Sequence, residues 1–480
     1  MLVALGLAVL SAAASYWWWP RGPVTGLQGL AGMGFGLFFG ALAGFVWHSR
    51  LVSLVLPLAH VLVLEFLWRT QVGPTVATPR LDDATGLLAF VLGRGIYALI
   101  VLGPMVFAAS QAGAVARGGR RSWIATLAGG FGALILVVMA TGLMWPASTP
   151  PVLNASGQVI PGSVASLEHV RLGGRDAWIM VRAADPHKPV LLYLSGGPGQ
   201  SDLPFARVLL EPLTADYVVV GFDQRGTGKS YPALHPESLT LDRAVADVTE
   251  LAAILNTRFG GRVTLLGESW GTILGVLAVQ RRPDLFAAYV GSGQMVSLRE
   301  TDQRIYRDLL NLAATSGDAN LAAKLRALGE PPYRDMPISN AYVMGLYDKL
   351  YKPYTPPADY RKLGTNANLG PWGVLGSEYT LMDKVNVLRG LVDTFAIMYP
   401  QLQTLDFRRD APSLKTPVFL LDGAAELPGR RDLALEWFKR LRAPAKHSFT
   451  FSNSAHSVAF EQVGRLPEIM RENVQPSALR

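Results

Sequence analysis

The chain has 480 residues, of which 50% are hydrophobic, and its formal net charge is +8. This length allows more than one domain, and a mean hydropathy of +0.25 is too high for a single soluble globule. The absence of cysteine excludes disulfides, thiol catalysis and cysteine-ligated zinc.

The positive charge is concentrated in the first third of the chain. Residues 1–150 contain eight arginines and no lysine, and their only acids are Glu65, Asp82 and Asp83. Because the arginines flank apolar stretches, we interpret the basic character as a feature of membrane borders. A nucleic-acid partner is therefore not predicted.

Five apolar stretches in this region are long enough to cross a bilayer, which takes about 20 residues. Tryptophans lie at their ends, where amphipathic rings prefer the headgroup layer. We favour an uncleaved first span over a signal peptide because it lacks a basic beginning, although Ala12-Ala13-Ala14-Ser15 resembles a cleavage site. The stretches are roughly 2–19, 26–47, 51–68, 86–109 and 122–145, with Trp17, Trp18, Trp19, Trp47, Trp68 and Trp145 at their ends.

Two groups of loop arginines predict the orientation of these spans. Short positively charged loops stay on the cytoplasmic side, which places everything after residue 145 outside the cytoplasmic membrane. The cytoplasmic group is Arg50, Arg117, Arg120 and Arg121, and the opposite group is Arg21, Arg69 and Arg80.

Three ionisable residues lie within the spans, namely His60, Glu65 and Arg94. Such groups can mark a transport or proton pathway. With so few polar residues, an anchor is favoured over a transporter, and Glu65 is predicted to pair with Arg94 across the third and fourth spans.

A linker rich in Pro, Ser and Gly, at residues 147–163, separates the transmembrane region 1–146 from short strands that alternate with helices. This alternation predicts an α/β fold with a mostly parallel sheet and helices on both faces. We divide it into a first core part 164–295, a helical cap 296–410 and a second core part 411–480. The cap is expected over the carboxyl ends of the strands, where open α/β sheets bind ligands. The predicted strands are 166–172, 177–182, 190–194, 217–222, 263–266, 288–291, 418–421 and 448–451.

The run Gly267-Glu268-Ser269-Trp270-Gly271 lies between a β-branched strand and an apolar helix. Gly-x-Ser-x-Gly in this context is typical of a nucleophile elbow, in which a strained turn lifts a serine hydroxyl above the sheet. The glycines are needed because neighbouring backbone passes too close for a Cβ atom. Ser269 is therefore the predicted nucleophile.

A serine nucleophile needs a base, and the base needs an acid to orient it. In this fold both follow the serine in the order acid, then histidine. His456, in a loop of small residues after the last strand, is the predicted base. His235 precedes the elbow and His447 lies at the start of the last strand, which disfavours both.

The acid should follow the strand at 418–421, where Asp422, Glu426 and Asp432 are available. Asp422 lies directly at the strand end, whereas Glu426 lies deeper in the loop, where a carboxylate can reach an imidazole. Glu426 is favoured, and Asp422 and Asp432 remain alternatives.

An acyl-transfer intermediate also needs backbone N–H donors for its oxyanion. Trp270, directly after the nucleophile, is one predicted donor, and Gly197 in the glycine-rich loop after the third strand is the other. The run 223–230 lacks a glycine that a phosphate-binding loop requires, so we predict a bracing role for Asp223 and Arg225 instead. No cofactor or metal is expected.

Four motifs together resemble the proline iminopeptidase branch of the α/β-hydrolase superfamily over roughly residues 165–470. The resemblance implies that fold, a Ser269, Glu426 and His456 triad, and oxyanion donors at Gly197 and Trp270. The chain departs from the family at Ser195, where histidine is usual, at Glu426, where aspartate is usual, and in its added apolar region. The motifs are Gly196-Gly-Pro-Gly199, Asp223-Gln-Arg-Gly226, Gly267-Glu-Ser-Trp-Gly271 and Ser454-Ala-His-Ser457.

These observations predict a membrane-anchored serine hydrolase that acts through an acyl-enzyme on a small molecule or short peptide. An aminopeptidase of proline iminopeptidase type is favoured, and an esterase or lipase at the membrane surface is the alternative. A degenerate hydrolase acting as a binding module is disfavoured by the complete triad. Acids that would hold a substrate amine are not assigned, with Glu300, Asp302 and Glu378 as candidates.

Overall fold

A computed structural model describes residues 2–19, 21–49, 51–71, 75, 81, 84–118, 122–333, 335–366 and 376–478. The chain divides into two compact units, which we call the helical unit and the sheet unit. The helical unit comprises the described parts of 1–147 and 379–392, and the sheet unit those of 148–378 and 393–480. Asp82, Asp83, Arg50, Arg80, Arg120, Arg121 and the side chain of Trp18, all considered above, lie outside the described residues.

All five predicted apolar stretches are helical. Among the described residues, four helical stretches have the length and composition to cross a membrane: Gly26–Trp47, Val52–Thr70, Ala84–Arg117 and Trp123–Met144. The third of these contains two π-helical segments, Val91–Gly95 and Ala98–Leu102. The helices are α1 (Leu2–Trp18), α2 (Gly26–Trp47), α3 (Val52–Leu67), α4 (Ala84–Phe90), α5 (Gly103–Arg117) and α6 (Trp123–Met144).

Glycines spaced four residues apart let α2 lie directly against the Ala84–Arg117 stretch. A Cβ atom at Gly36 would collide with the carbonyl oxygen of Val101, and one at Gly40 with that of Met105. Gly44 continues this stripe one turn later. Small residues at such spacing are the usual means by which apolar helices approach closely without a hydrophobic driving force.

The predicted pair between Glu65 and Arg94 is present in the helical unit. Arg94 donates from Nε to Glu65 Oε1 at 2.9 Å and from Nη2 to Oε2 at 3.0 Å. Arg21 also contacts Glu65 Oε2, at 3.1 Å. The Glu65 carboxylate therefore binds two guanidinium groups, and only its pair with Arg94 was predicted from the sequence.

His60 is fully buried in the helical unit and lies within a chain of hydrogen bonds. Its Nδ1 atom lies 2.8 Å from Ser11 Oγ, and its Nε2 atom 2.8 Å from the Tyr97 hydroxyl. Tyr97 in turn donates to Ser15 Oγ at 2.9 Å. These bonds link α1, α3 and the Ala84–Arg117 stretch through buried side chains.

The segment 379–392 belongs to the helical unit although it is remote in sequence. Asn386 donates to the Val24 carbonyl at 2.7 Å, and Arg389 donates to the Leu92 carbonyl at 2.8 and 3.1 Å. Because Arg389 is buried, these hydrogen bonds replace the hydration that its guanidinium group loses on folding.

The sheet unit contains one eight-stranded sheet with the order β1-β2-β4-β3-β5-β6-β7-β8. The strand β2 pairs antiparallel with β1 and β4, and every other pairing is parallel. All eight predicted strands are present, which confirms the predicted fold class. The strands are β1 (Val164–Leu172), β2 (Arg175–Ala183), β3 (Val190–Leu194), β4 (Val218–Asp223), β5 (Val263–Glu268), β6 (Phe286–Ser292), β7 (Val418–Gly423) and β8 (Lys446–Phe451).

The central strands are buried along their whole length because helices cover both faces of the sheet. In register, Leu194 of β3 lies beside Gly267 of β5, which lies beside Gly291 of β6. The carboxyl ends of these parallel strands therefore meet at one edge. The helices that follow α6 are α7 (Leu203–Leu209), α8 (Leu241–Phe259), α9 (Trp270–Arg281), α10 (Leu298–Thr315), α11 (Ala319–Leu328), α12 (Met336–Met344), α13 (Ala358–Asn366), α14 (Leu381–Met398), α15 (Phe407–Asp410), α16 (Pro428–Arg440), α17 (Val458–Glu461), α18 (Leu466–Ile469) and α19 (Gln475–Ala478).

Candidate active site

Ser269 lies in a strained turn between β5 and α9. Its φ angle is 51° and its ψ angle −114°, a backbone conformation that non-glycine residues rarely adopt. The turn is held by the Ser269 amide, which donates to the Ser292 carbonyl at 2.9 Å. A Cβ atom at Gly267 would lie 2.6 Å from the Gly271 oxygen, and one at Gly271 would collide with the Leu194 oxygen. The flanking glycines are therefore required sterically, as a nucleophile elbow demands.

Trp270 is the first residue of α9, so its amide has no carbonyl partner within the helix. Its indole Nε1 donates to Gln224 Oε1 at 2.8 Å, and Gln224 Nε2 donates to the Ser195 carbonyl at 3.2 Å. The side chain of Gln224 thus ties the elbow to the loop that follows β3.

Gly197 lies in that loop with a φ angle of 125°, which favours glycine. Its amide has no acceptor among the described residues, so it is available to donate to a substrate oxygen. A Cβ atom at Gly196 would lie 3.6 Å from Ser269 Cβ, so the loop runs beside the nucleophile. Ser195, which replaces the usual histidine of the family, donates to the Gln200 carbonyl at 3.3 Å.

His456 and Glu426 are brought together by the loops after β8 and β7. The imidazole Nδ1 is hydrogen-bonded to Glu426 Oε2. The ring packs on Gly293, where a Cβ atom would lie 2.9 Å from His456 Cε1. Because Gly293 directly follows Ser292, whose carbonyl binds the Ser269 amide, the imidazole lies close to the elbow. The Ser269 hydroxyl itself makes no hydrogen bond to the described residues, and catalytic hydrogen bonds of this kind often form only with substrate bound.

Glu426 is buried and ionised. Burial alone would raise its pKa, but the charges of His456 and Arg430, with hydrogen bonds from His456 and the Leu427 amide, lower the pKa of Glu426 to about 2. The amide bond to Oε1 is 2.7 Å long, and Arg430 Nη1 lies 3.5 Å from the same oxygen. A fixed carboxylate of this kind can orient a histidine and stabilise its protonated form.

The other two carboxylates considered for the acid do not contact His456. Asp422 is held by Arg431 at 2.9 Å and by Thr450 at 3.2 Å. Asp432 is exposed on α16. His447, the other histidine after the elbow, lies in β8 and stacks on Phe419 of β7.

A cleft of about 490 Å³ opens beside His456. Glu461 lines it and is buried, accepting hydrogen bonds from the Tyr354 hydroxyl and the Ala455 amide, each 2.9 Å long. No Lys, Arg or His of the described chain lies within 4.0 Å of this carboxylate. Glu461 was not among the site residues predicted from the sequence, although its position five residues after the predicted base was a usable signal. The cleft is lined by Asp348, Tyr351, Lys352, Pro353, Tyr354, Ala455, His456, Ser457 and Glu461.

The three cap acids proposed from the sequence lie outside this lining. Glu300 pairs with Arg304 and Arg408, and Glu378 pairs with Arg207. Asp302 is buried and accepts a hydrogen bond from Tyr399 at 2.8 Å. Burial raises the pKa of Asp302 to about 6.

Arg225 braces the neighbouring loop, as predicted from the sequence. It donates to both Asp247 oxygens, at 2.9 and 3.0 Å, and to the Leu172 carbonyl at 3.0 Å. Asp223 accepts from the Lys229 amide at 2.8 Å. Among the described residues, no three His, Asp or Glu side chains cluster so that they could hold a metal ion.

Comparison with known proteins agrees with this architecture. Residues 189–367 match the family described as alpha/beta hydrolase fold. The probable aminopeptidase YbaC of Bacillus subtilis (strain 168) is 27% identical over 308 residues, which cover 62% of this chain and 93% of that protein.

Proline iminopeptidases are also similar over shorter stretches. The probable proline iminopeptidase of Streptomyces coelicolor is 31% identical over 165 residues, covering 31% of this chain and 50% of that protein. The crystal structure of a proline iminopeptidase from Mycobacterium smegmatis aligns over 65% of this chain and 99% of its own, with a TM-score of 0.44 and 17% identity. The chain thus contains an α/β-hydrolase domain, which supports a hydrolase, and proteins similar to it are named aminopeptidases and proline iminopeptidases.

Proposed function

We propose that this protein is a membrane-anchored serine hydrolase with a Ser269, His456 and Glu426 triad. The observation that carries the proposal is the hydrogen bond between His456 and the ionised Glu426, close to a serine in a strained turn. A base, an acid that orients it and a serine hydroxyl are the three groups that nucleophilic catalysis by serine needs.

In the proposed reaction, Ser269 Oγ attacks the carbonyl carbon of the substrate while His456 takes the hydroxyl proton. The Gly197 and Trp270 amides stabilise the oxyanion of the tetrahedral intermediate. The C–N bond breaks as His456 returns that proton to the leaving amine, which leaves an acyl ester on Ser269. Water then attacks the ester while His456 takes a proton from it, and His456 returns this proton to Ser269 Oγ as the C–O bond breaks and the acid leaves.

We favour an aminopeptidase, which removes the first residue of a short peptide. This choice is supported by the names of the relatives and by Glu461, a carboxylate in the cleft without a cation partner among the described residues. An α-ammonium group of a substrate would supply such a partner. Tyr351 and Tyr354 offer aromatic surface beside it for an apolar side chain or a proline ring.

The membrane anchor is supported by the four helices of sufficient length and composition. The arginine distribution favours a hydrolase domain outside the cytoplasmic membrane. A phosphatase reporter fused after residue 480 should be active with this orientation. A fluorescent reporter that matures only in the cytoplasm should be dark there, and a bright one would contradict the orientation.

A panel of aminoacyl-naphthylamides and p-nitrophenyl esters tests the activity. We expect the full-length protein in detergent to cleave prolyl or other aminoacyl amides, and to leave the same amides intact once their amine is acetylated. Hydrolysis of acyl esters with no cleavage of any free-amine amide would support the esterase alternative. No hydrolysis of either class would contradict the proposed function.

A further inference from the structure

Arg430 lies one helical turn after Glu426, at the start of α16, and only 10% of its side chain is exposed. Its Nη1 atom lies 3.5 Å from Glu426 Oε1 and donates to the Tyr351 hydroxyl at 3.2 Å. Its guanidinium lies over the Tyr347 ring, 4.7 Å from the ring centre. A buried cation therefore stands behind the carboxylate that holds His456.

Among the described residues around Arg430, Glu426 is the carboxylate that its guanidinium contacts. Burial raises the pKa of Tyr347 to about 12 and keeps Tyr351 a neutral phenol as well. Asp302 and Tyr399 on neighbouring helices also interact with Arg430 electrostatically. The charged groups that line the cleft with His456 are Asp348, Lys352 and Glu461.

We propose that Arg430 is a positioning residue of the triad, which holds Glu426 in place and keeps His456 in its neutral, base-competent form at lower pH. This role rests on the proposed function. A carboxylate beside an imidazole favours its protonated form, and a base that is already protonated cannot take the Ser269 proton. A guanidinium on the far side of the carboxylate opposes a second positive charge on the ring.

The expected effect has a definite sign. Removing the positive charge makes protonation of His456 easier, so activity should be lost at a higher pH than in the wild type. With an effective dielectric constant of about 20 to 40, a unit charge several ångströms from the ring shifts the pH at which half of the activity is lost by roughly 1 pH unit. A residue that only anchors the two tyrosines would alter stability or rate without moving this midpoint.

The test is the pH dependence of fluorophosphonate labelling at Ser269, which needs no identified substrate. In Arg430→Gln, the midpoint of the acidic limb should move up by about 1 pH unit, whereas Arg430→Lys, which keeps the charge, should stay near the wild type. Arg430→Met is a second neutral variant of similar length should the glutamine variant fail to fold. Arg431→Gln is the matched control, because Arg431 is the next residue and pairs with Asp422 instead.

Three results would overturn the proposal. The first is a midpoint of the acidic limb that stays at the wild-type pH in both Arg430→Gln and Arg430→Met. The second is a midpoint that also shifts in Arg430→Lys or Arg431→Gln. The third is the loss of the acidic limb of the labelling profile in Asp302→Asn, since that limb would then report the titration of Asp302. Wild-type protein that is not labelled at Ser269 at any pH would contradict the proposed function itself, and with it the role of Arg430.

Discussion

The two units of the molecule differ in whether their buried polar groups have hydrogen-bond or ion-pair partners. In the helical unit, two groups of buried or half-buried polar side chains bind one another: Glu65 pairs with Arg21 and Arg94, and His60 lies between Ser11 and Tyr97. In the sheet unit, several groups at one edge of the sheet keep free bonding capacity. Within the described part of the chain, they are the strained Ser269, whose hydroxyl has no hydrogen-bond partner, the Gly197 amide, which has no acceptor, and Glu461, which has no cation partner.

This difference separates a structural role from a catalytic one. Polar groups that bind only each other lower the cost of burial and specify how helices pack. Strain and unused donors cost free energy in the folded protein, and such costs concentrate where a ligand or substrate uses them. The same reasoning predicts which substitutions should affect activity and which should affect stability alone.

The largest expected effect is that of Ser269→Ala. If Ser269 is the nucleophile, as proposed, hydrolysis should fall by about 10⁴-fold or more, because the members of a triad act as a unit. Labelling by fluorophosphonates should disappear, while the thermal unfolding of the protein stays close to that of the wild type. Undiminished labelling of the variant would place the nucleophile elsewhere.

Glu426→Gln should have the next largest effect. An amide cannot stabilise the imidazolium that forms when His456 takes a proton, and a loss of kcat on the order of 10³- to 10⁴-fold is expected. Asp422→Asn is the matched control, since its carboxylate is bound by Arg431 and Thr450. If the asparagine variant is the inactive one, the assignment of the acid is wrong.

Glu461→Gln tests the cleft. If its carboxylate holds the substrate amine, KM for aminoacyl amides should rise by roughly 10-fold or more, as expected for the loss of a charge-assisted hydrogen bond. Hydrolysis of esters that lack an amine should change little. Asp348→Asn, in the same cleft, is the comparison, and an equal or larger rise in KM there would move the amine site to Asp348.

The smallest effect on activity is expected from the helical unit. Glu65→Gln removes the carboxylate that serves both Arg21 and Arg94, so its thermal midpoint in detergent should fall by roughly 3–6 °C. Arg94→Gln should cost less, because Arg21 still contacts Glu65, and the double variant should lose less than the sum of the two. Strictly additive losses would contradict coupling between Glu65 and Arg94.

Exposed Arg69→Gln is the control for that series, and its thermal midpoint should not change. Hydrolase activity, measured on the same samples below their unfolding temperatures, should remain within about twofold of the wild type throughout. A loss of activity in Glu65→Gln at temperatures where the protein is folded would give this cluster a functional role.

Much of the architecture could be predicted because it depends on local patterns. Alternating and continuous apolar runs located all eight strands, since side-chain period and β-branching act within a few residues. The five helical stretches followed from their length and hydropathy. The turn at Ser269 was identified from its glycines, which are required because the backbone at Leu194 and Gly271 leaves no room for a Cβ atom.

Only the tertiary structure decided which groups meet. Asp422, Glu426 and Asp432 offer the same chemistry within eleven residues, and the path of one loop determines that Glu426 contacts His456. The contacts of Arg21 with Glu65, of Glu461 with Tyr354, and of Arg430 with Tyr347 and Tyr351 were not predicted, because they join different elements. The grouping of residues 379–392 with the N-terminal helices likewise joins segments that are remote in sequence. Sequence patterns report the environment of a residue along its own helix or strand, whereas electrostatic contacts depend on distances that folding alone sets.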